Sequence, residues 1–219
     1  MAAYEQEKQA IIAACLALEA DGYIIGTYGN ASARAAEGLI VTPSRVDYRS
    51  LTPDDMVVVD LDGSVIEGRR IPSSETSVHR LIYRSRPDIG AVLHTHSLYA
   101  AAASTLHQTI PVIIEEQSQV IGGEIACTRY VPAGQHEALG EEVARALGSS
   151  NAVLLANHGV VACGRDVAEA LFTAKIAERV AQMYLLARAA GTPVVIPPQY
   201  VESERHRWLY KYGTTADHA

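Results

Sequence analysis

Apolar positions along the chain change period several times, and each change marks an element. Ile11, Ile12, Cys15 and Leu18 recur at helical spacing behind Glu5 and Glu7, which predicts an amphipathic first helix ending near residue 20. The stretch DGYIIGTYGNASAR follows, and its three glycines with Asn30 and Ser32 read as a loop with exposed backbone amides. GLIVTPS and DDMVVVDLDGSVIEG read as short strands, with Asp62-Gly63 marking a hairpin in the second. PSSETSVHRLIYRSRPD reads as a helix that starts near Ser73 or Ser74, carries Val78, Leu81 and Ile82 on one face, and closes at Pro87.

Beyond that helix come a strand at GAVLHTH, a small-residue helix at LYAAAASTL, a strand at TIPVII, and the turn GGE before IACTRY. Residues 135–147 read as helix, and NAVLLANHGVVACG as two strands around a tight Asn-His-Gly turn. Residues 166–190 form the longest helical pattern, with Ala168, Leu171, Ala174, Ile176, Val180, Met183 and Leu186 facing a sheet. Strands and helices alternate irregularly, which predicts an α/β chain whose mixed sheet is covered by helices. With no internal repeat and no low-complexity linker, 219 residues read as a single domain over 1–213 and a disordered tail over 214–219.

Composition narrows the partners. A net charge of -7 argues against nucleic acid or an anionic membrane, although a local basic pocket for a small anion remains compatible with it. Cys15, Cys127 and Cys163 are odd in number and lack metal spacing, which argues against a disulfide framework and for a reducing, cytoplasmic compartment. The segment IIAACLALEA follows two glutamates and reads as helix rather than signal peptide; no stretch approaches the roughly 18 apolar residues of a membrane span.

Alternation along a strand points residues i and i+2 to one face, so His94 and His96 in HTH converge while Thr95 points away. Two convergent imidazoles suit a shared metal; the competing reading is a pair of histidines each satisfying a hydrogen bond at a strand end. His158, in its tight turn beside Gly159, offers a third neutral nitrogen, a set suited to Zn²⁺ or a similar divalent cation with an open position. Glu75 stands in the first turn of its helix, where a carboxylate also favours the helix dipole.

The order GTYGNASAR, TPS, PSSE, HTH, NHG resembles the class II aldolase and adducin family over nearly the whole chain, and is most similar to its sugar-phosphate aldolase branch. The resemblance implies a three-layer αβα sandwich around a mixed, mostly antiparallel central sheet. It implies metal binding by His94, His96 and His158, to Zn²⁺ or to Mn²⁺ or Co²⁺, and an acid-base role for Glu75. The implied reaction is reversible cleavage of a ketose 1-phosphate to dihydroxyacetone phosphate and an aldehyde through a metal-stabilised enediolate. Asn30, Ser44, Ser73 and Ser74 match phosphate-binding positions of the family; as turn residue and helix caps they also have plain structural readings. The resemblance further implies a homotetramer with sites at subunit interfaces and Tyr212 on a C-terminal segment covering the site; the other reading of Tyr212 is a surface aromatic in a frayed tail.

Two positions depart from the pattern. Arg45 replaces a glycine after TPS, where it either clamps a phosphate or carboxylate or changes the substrate. Glu115 stands where the branch has a proton-donating tyrosine, with Glu116 as its rival. Other readings stay open: a pentulose-phosphate 4-epimerase, a decarboxylase or dehydratase of the same family, and an adducin-like interaction domain without chemistry. A cupin-type barrel fits poorly with such prominent helices.

Overall fold

A computed structural model of the chain describes residues 4–213, so the predicted tail lies outside the described residues. Eight strands form one sheet in the order β4-β3-β2-β1-β5-β8-β7-β6. They are β1 (Gly29–Arg34), β2 (Gly38–Val41), β3 (Val57–Asp60), β4 (Val65–Glu67), β5 (Ala91–Thr95), β6 (Ala126–Cys127), β7 (Ala152–Leu155) and β8 (Gly159–Gly164). Every neighbouring pair is antiparallel except β6 with β7. Helices α2 (Thr76–Ser85) and α4 (His136–Leu147) pack on one face. On the other lie α1 (Glu5–Ala20), α3 (Leu98–Ser104), α5 (Val167–Ala190) and α6 (Pro198–Tyr210). The expected three-layer αβα sandwich with a mixed, mostly antiparallel sheet is therefore the fold.

Burial explains the pattern. The central strand β8 is buried on both faces, as its unbroken run of small and apolar residues requires, whereas the edge strand β4 is short and exposed. Alternation along β5 sends Ala91 and Leu93 into the core beneath α1 and α5 and Val92 into the core beneath α2 and α4. Each such fully buried branched side chain contributes about 1.5–3 kcal/mol.

Four expectations need correction. Gly29–Arg34, read as part of a loop, is a strand between β2 and β5; its small residues fit a central position that local turn preference disguises. TIPVII makes only an isolated bridge between Ile110 and Ile125, because Pro111 lacks a ladder donor and a π-helical turn, Gln117–Ile121, follows. In α5 Ala174, Ile176 and Val180 are buried as expected, joined by Val167, Ala170, Ala177, Ala181 and Tyr184, while Ala168 and Leu186 are exposed. Ala170, Ala174, Ala177 and Ala181 turn the buried face slightly from the expected one, which leaves Ala168 and Leu186 outside it. Helix α6 was not anticipated, and it buries no residue fully.

Candidate metal centre

The register of the sheet assembles the site. Asn30 pairs with His94 and Ser32 with Val92, so all four side chains point to the face that carries α2. The chain leaves β5 at His96, while His158 ends the three-residue connection between β7 and β8. Asn157 adopts φ 57°, a left-handed conformation that asparagine tolerates. A Cβ on Gly159 would lie 2.3 Å from the Thr95 carbonyl oxygen, so only glycine lets this turn approach β5 closely enough. Ser104 of α3 buttresses the turn: its hydroxyl accepts the His158 amide at 3.3 Å and its carbonyl accepts the Asn157 amide at 3.4 Å.

His94, His96 and His158 converge, with ring centroids 4.7–4.8 Å apart and one ligand nitrogen from each within 4.8 Å of the others. The His94 Nδ1–H donates to the Val160 carbonyl at 3.0 Å, which leaves the Nε2 lone pair facing the cluster. The Nε2 atoms of His94 and His96 are 2.9 Å apart. That is near the roughly 3.3 Å edge of a tetrahedron with metal–nitrogen bonds of about 2.0–2.1 Å. Burial, reinforced by the neighbouring imidazoles, pushes His96 down to about 3 and His158 down to about 4. Both rings are therefore neutral at pH 7, the state that coordination requires. The donor set fits a divalent cation.

Glu75 caps the start of α2 with its backbone, but its carboxylate turns into the cluster. Its Oε2 lies 3.4 Å from His94 Nε2 and its Oε1 lies 3.4 Å from His158 Nε2. Burial acts to raise its pKa, but the facing His94 and His158 and the Asn30 hydrogen bond outweigh it and hold the carboxyl at about 2. Asn30 donates from Nδ2 to Glu75 Oε2 at 2.7 Å, and its Oδ1 is held by His79 Nε2. Both ends of the Asn30 amide are thus engaged within the chain, which gives it a positioning role beside its expected phosphate contact.

Beside this cluster a cavity of about 350 Å³ is lined by Thr27, Tyr28, Gly29, Asn30, Pro43, Ser44, Arg45, Ser73, Ser74, Glu75, His96 and His158. The structure therefore brings together Asn30, Ser44, Arg45, Ser73, Ser74, Glu75 and two of the histidines at one opening. Arg45 holds φ 59°, the left-handed conformation a glycine adopts freely, so the chain keeps the turn while adding a guanidinium at its rim. A second hollow, about 260 Å³, opens on the other side of Glu75 and His158 and is walled by residues 130–136 and Leu139.

Glu115 and Tyr212 do not join this cluster within one chain. Glu115 is exposed just before the π-helical turn, and the Tyr212 ring packs 4.7 Å from that of Trp208 beyond α6. Sequence reasoning missed Ser32, His79 and Tyr83, which form a buried chain behind Asn30. The spacing of His79 four residues after Glu75 on one helix face was the available signal. It also missed Glu178, buried on α5, whose carboxylate accepts the Ser97 hydroxyl and the Tyr99 and Ala100 amides and so caps α3 directly after the histidine pair.

The family described as Class II Aldolase and Adducin N-terminal domain matches residues 9–185. The L-fuculose phosphate aldolase of Escherichia coli (strain K12) is 39% identical over 186 residues, which cover 85% of this chain and 86% of the relative. The L-ribulose-5-phosphate 4-epimerase of Salmonella paratyphi B is 35% identical over 221 residues, with 95% and 96% covered. A solved L-fuculose 1-phosphate aldolase superposes with a TM-score of 0.89 at 32% identity, with 94% of this chain and 97% of that one covered. The matched residues span the strands and the turn that carry the three histidines, and the chain belongs to the class II aldolase and adducin family.

Proposed function

We propose that this aldolase-family enzyme cleaves a ketose 1-phosphate, L-fuculose 1-phosphate or a related 5-deoxyketose 1-phosphate, to dihydroxyacetone phosphate and an aldehyde. The observation that carries the reading is Glu75, set 3.4 Å from two of three convergent imidazoles at the mouth of the serine-lined cavity. His94, His96 and His158 hold the metal, and an all-imidazole set favours Zn²⁺. When bound, the cation supplies Lewis-acid charge against the negative charge that develops as the carbon–carbon bond breaks.

The chain's own residues do the rest. Ser44, Ser73 and Ser74 receive the phosphate, with the Arg45 guanidinium beside them at the rim. The second hollow, beyond Glu75 and His158, receives the aldehyde half. Glu75 takes the proton of the hydroxyl on the carbon that becomes the aldehyde, the bond between the two fragments breaks with its electron pair left on the three-carbon phosphate, and Glu75 delivers the proton to the carbon of that phosphate fragment from which the aldehyde has parted. At neutral pH its carboxyl is ionised.

Glu115 and Tyr212 enter through assembly. The exposed Ile25, Tyr28 and Leu98 surround the histidine end of the sheet, an apolar rim suited to a homotetramer in which a neighbouring subunit brings those two residues to this cavity. Among the described residues no helix is long and apolar enough to cross a membrane, and three free thiols suit the cytoplasm. The test is incubation of zinc-loaded enzyme with L-fuculose 1-phosphate and with L-ribulose 5-phosphate. Release of dihydroxyacetone phosphate from the first, abolished by a chelator, supports the reading; inversion at C4 of the second without fragment release replaces it with epimerisation.

A further inference from the structure

Behind Glu75 a line of buried polar groups runs from Asn30, at the cavity wall, into the interior between β1 and α2. Tyr83 and His79 both lie on α2, Ser32 and Asn30 on β1, and all four are between 0% and 5% exposed. The Tyr83 hydroxyl is 2.8 Å from Ser32 Oγ, Ser32 Oγ is 2.6 Å from His79 Nδ1, His79 Nε2 meets Asn30 Oδ1, and Asn30 Nδ2 is 2.7 Å from Glu75 Oε2.

Donors and acceptors along this line admit one assignment. The Glu75 carboxylate only accepts, so Asn30 presents its NH₂ to it and its Oδ1 to His79. His79 Nε2 then carries the proton, its Nδ1 accepts the Ser32 hydroxyl, and Ser32 accepts the Tyr83 hydroxyl. Every bond points toward Glu75, and bonds aligned this way in a dry interior polarise one another. A histidine with no donor role here would leave the Asn30 amide free to turn its oxygen toward the carboxylate.

We propose that His79, held by Ser32 and Tyr83, is a positioning residue for proton transfer: it fixes the Asn30 amide and thereby the Glu75 carboxylate. The inference rests on Glu75 being the proton carrier of the proposed aldolase reaction. The three metal histidines are outside the line, so metal retention does not depend on it.

The assay is loss of a hydroxymethyl proton from dihydroxyacetone phosphate in heavy water, with zinc-loaded full chain. Glutamine places its Nε2 near that of histidine and asparagine does not, so His79→Gln should keep most of the exchange rate, while His79→Asn and His79→Leu lose about ten- to a hundredfold with unchanged zinc content. The loss should appear in the rate and leave half-saturation nearly unmoved. In an Asn30→Ala background, His79→Leu should add less than about twofold, because no amide remains to orient. Equal losses in the Gln and Asn variants, or full losses in both backgrounds, mean mere packing and overturn the inference.

A second readout does not need activity. Side-chain NMR of the metal-free chain should show the Nε2–H tautomer of His79 and slowly exchanging Asn30 amide protons that become fast in His79→Leu; the Nδ1–H tautomer overturns the inference. No proton exchange by the unaltered, zinc-loaded chain overturns the aldolase reading instead, and the NMR result still decides the positioning role.

Discussion

Replacing His79 by leucine should make the protein less sensitive to acid while making it less stable at neutral pH. Burial, with the neighbouring His94 adding to it, pushes His79 down to about 3, so the folded chain keeps this ring neutral well below the ordinary histidine value of about 6.5. Between those two values the unfolded chain binds the extra proton. The contribution is therefore present in full above about pH 6.5 and is lost as the pH falls toward 3, with a slope of about 1.4 kcal/mol per pH unit. From pH 6.5 to pH 5 the loss attributable to His79 is about 2 kcal/mol. Leucine removes that term but leaves Asn30 Oδ1 and the Ser32 hydroxyl without their partner, which costs about 1–3 kcal/mol. The variant's deficit at pH 7 should thus shrink by about 2 kcal/mol at pH 5. Urea unfolding of both chelator-treated proteins, at one protein concentration and several pH values, measures this. Parallel stability-against-pH curves would refute the reasoning, since they require a His79 that titrates equally in both states.

Further perturbations separate the parts of the site. Gly159→Ala places a methyl group 2.3 Å from the Thr95 carbonyl oxygen, so a backbone shift at the His158 turn should lower zinc affinity at least tenfold, read by competition with a chelating dye. Glu178→Ala strips three donors at the start of α3 of their acceptor and should destabilise by about 2–4 kcal/mol, lowering Tm by roughly 5–15 °C in calorimetry. Arg45→Gly relieves a left-handed backbone and should raise stability by about 0.5–1 kcal/mol, while raising half-saturation by dihydroxyacetone phosphate about tenfold or more. His94→Ala and His158→Ala should each abolish zinc retention in elemental analysis after gel filtration.

Legibility from sequence followed locality. The His94–His96 pair was readable because the two-residue spacing at a strand end brings the rings together even though His96 stands just past β5, and the Asn-His-Gly turn was readable from its own residues. That His158 meets them depends on the pairing of β5 with β8, a contact that spacing does not encode; resemblance to a family supplied it. β1 was misread because its glycine, asparagine and serine carry turn preference, and only its place between two strands overrides that. The same pairing hid the line from Tyr83 to Glu75, since Ser32 and Asn30 reach α2 only once β1 is in the sheet. Glu178 was invisible for a similar reason: it sits on a helix 81 residues beyond the serine it binds. Glu115 and Tyr212 lie away from the cavity within one chain, so the motif positions that singled them out are not matched by a place at the site among the described residues.

The central claim, that Glu75 beside a metal held by three histidines moves the proton in an aldol cleavage, is met most directly by proton exchange from dihydroxyacetone phosphate in heavy water, followed by NMR. The expected result is stereospecific loss of one hydroxymethyl proton by the zinc-loaded enzyme, no loss after chelation, and loss reduced at least a hundredfold in Glu75→Gln with zinc still bound. Unaltered exchange in Glu75→Gln, or none by the folded, zinc-loaded protein, would contradict it.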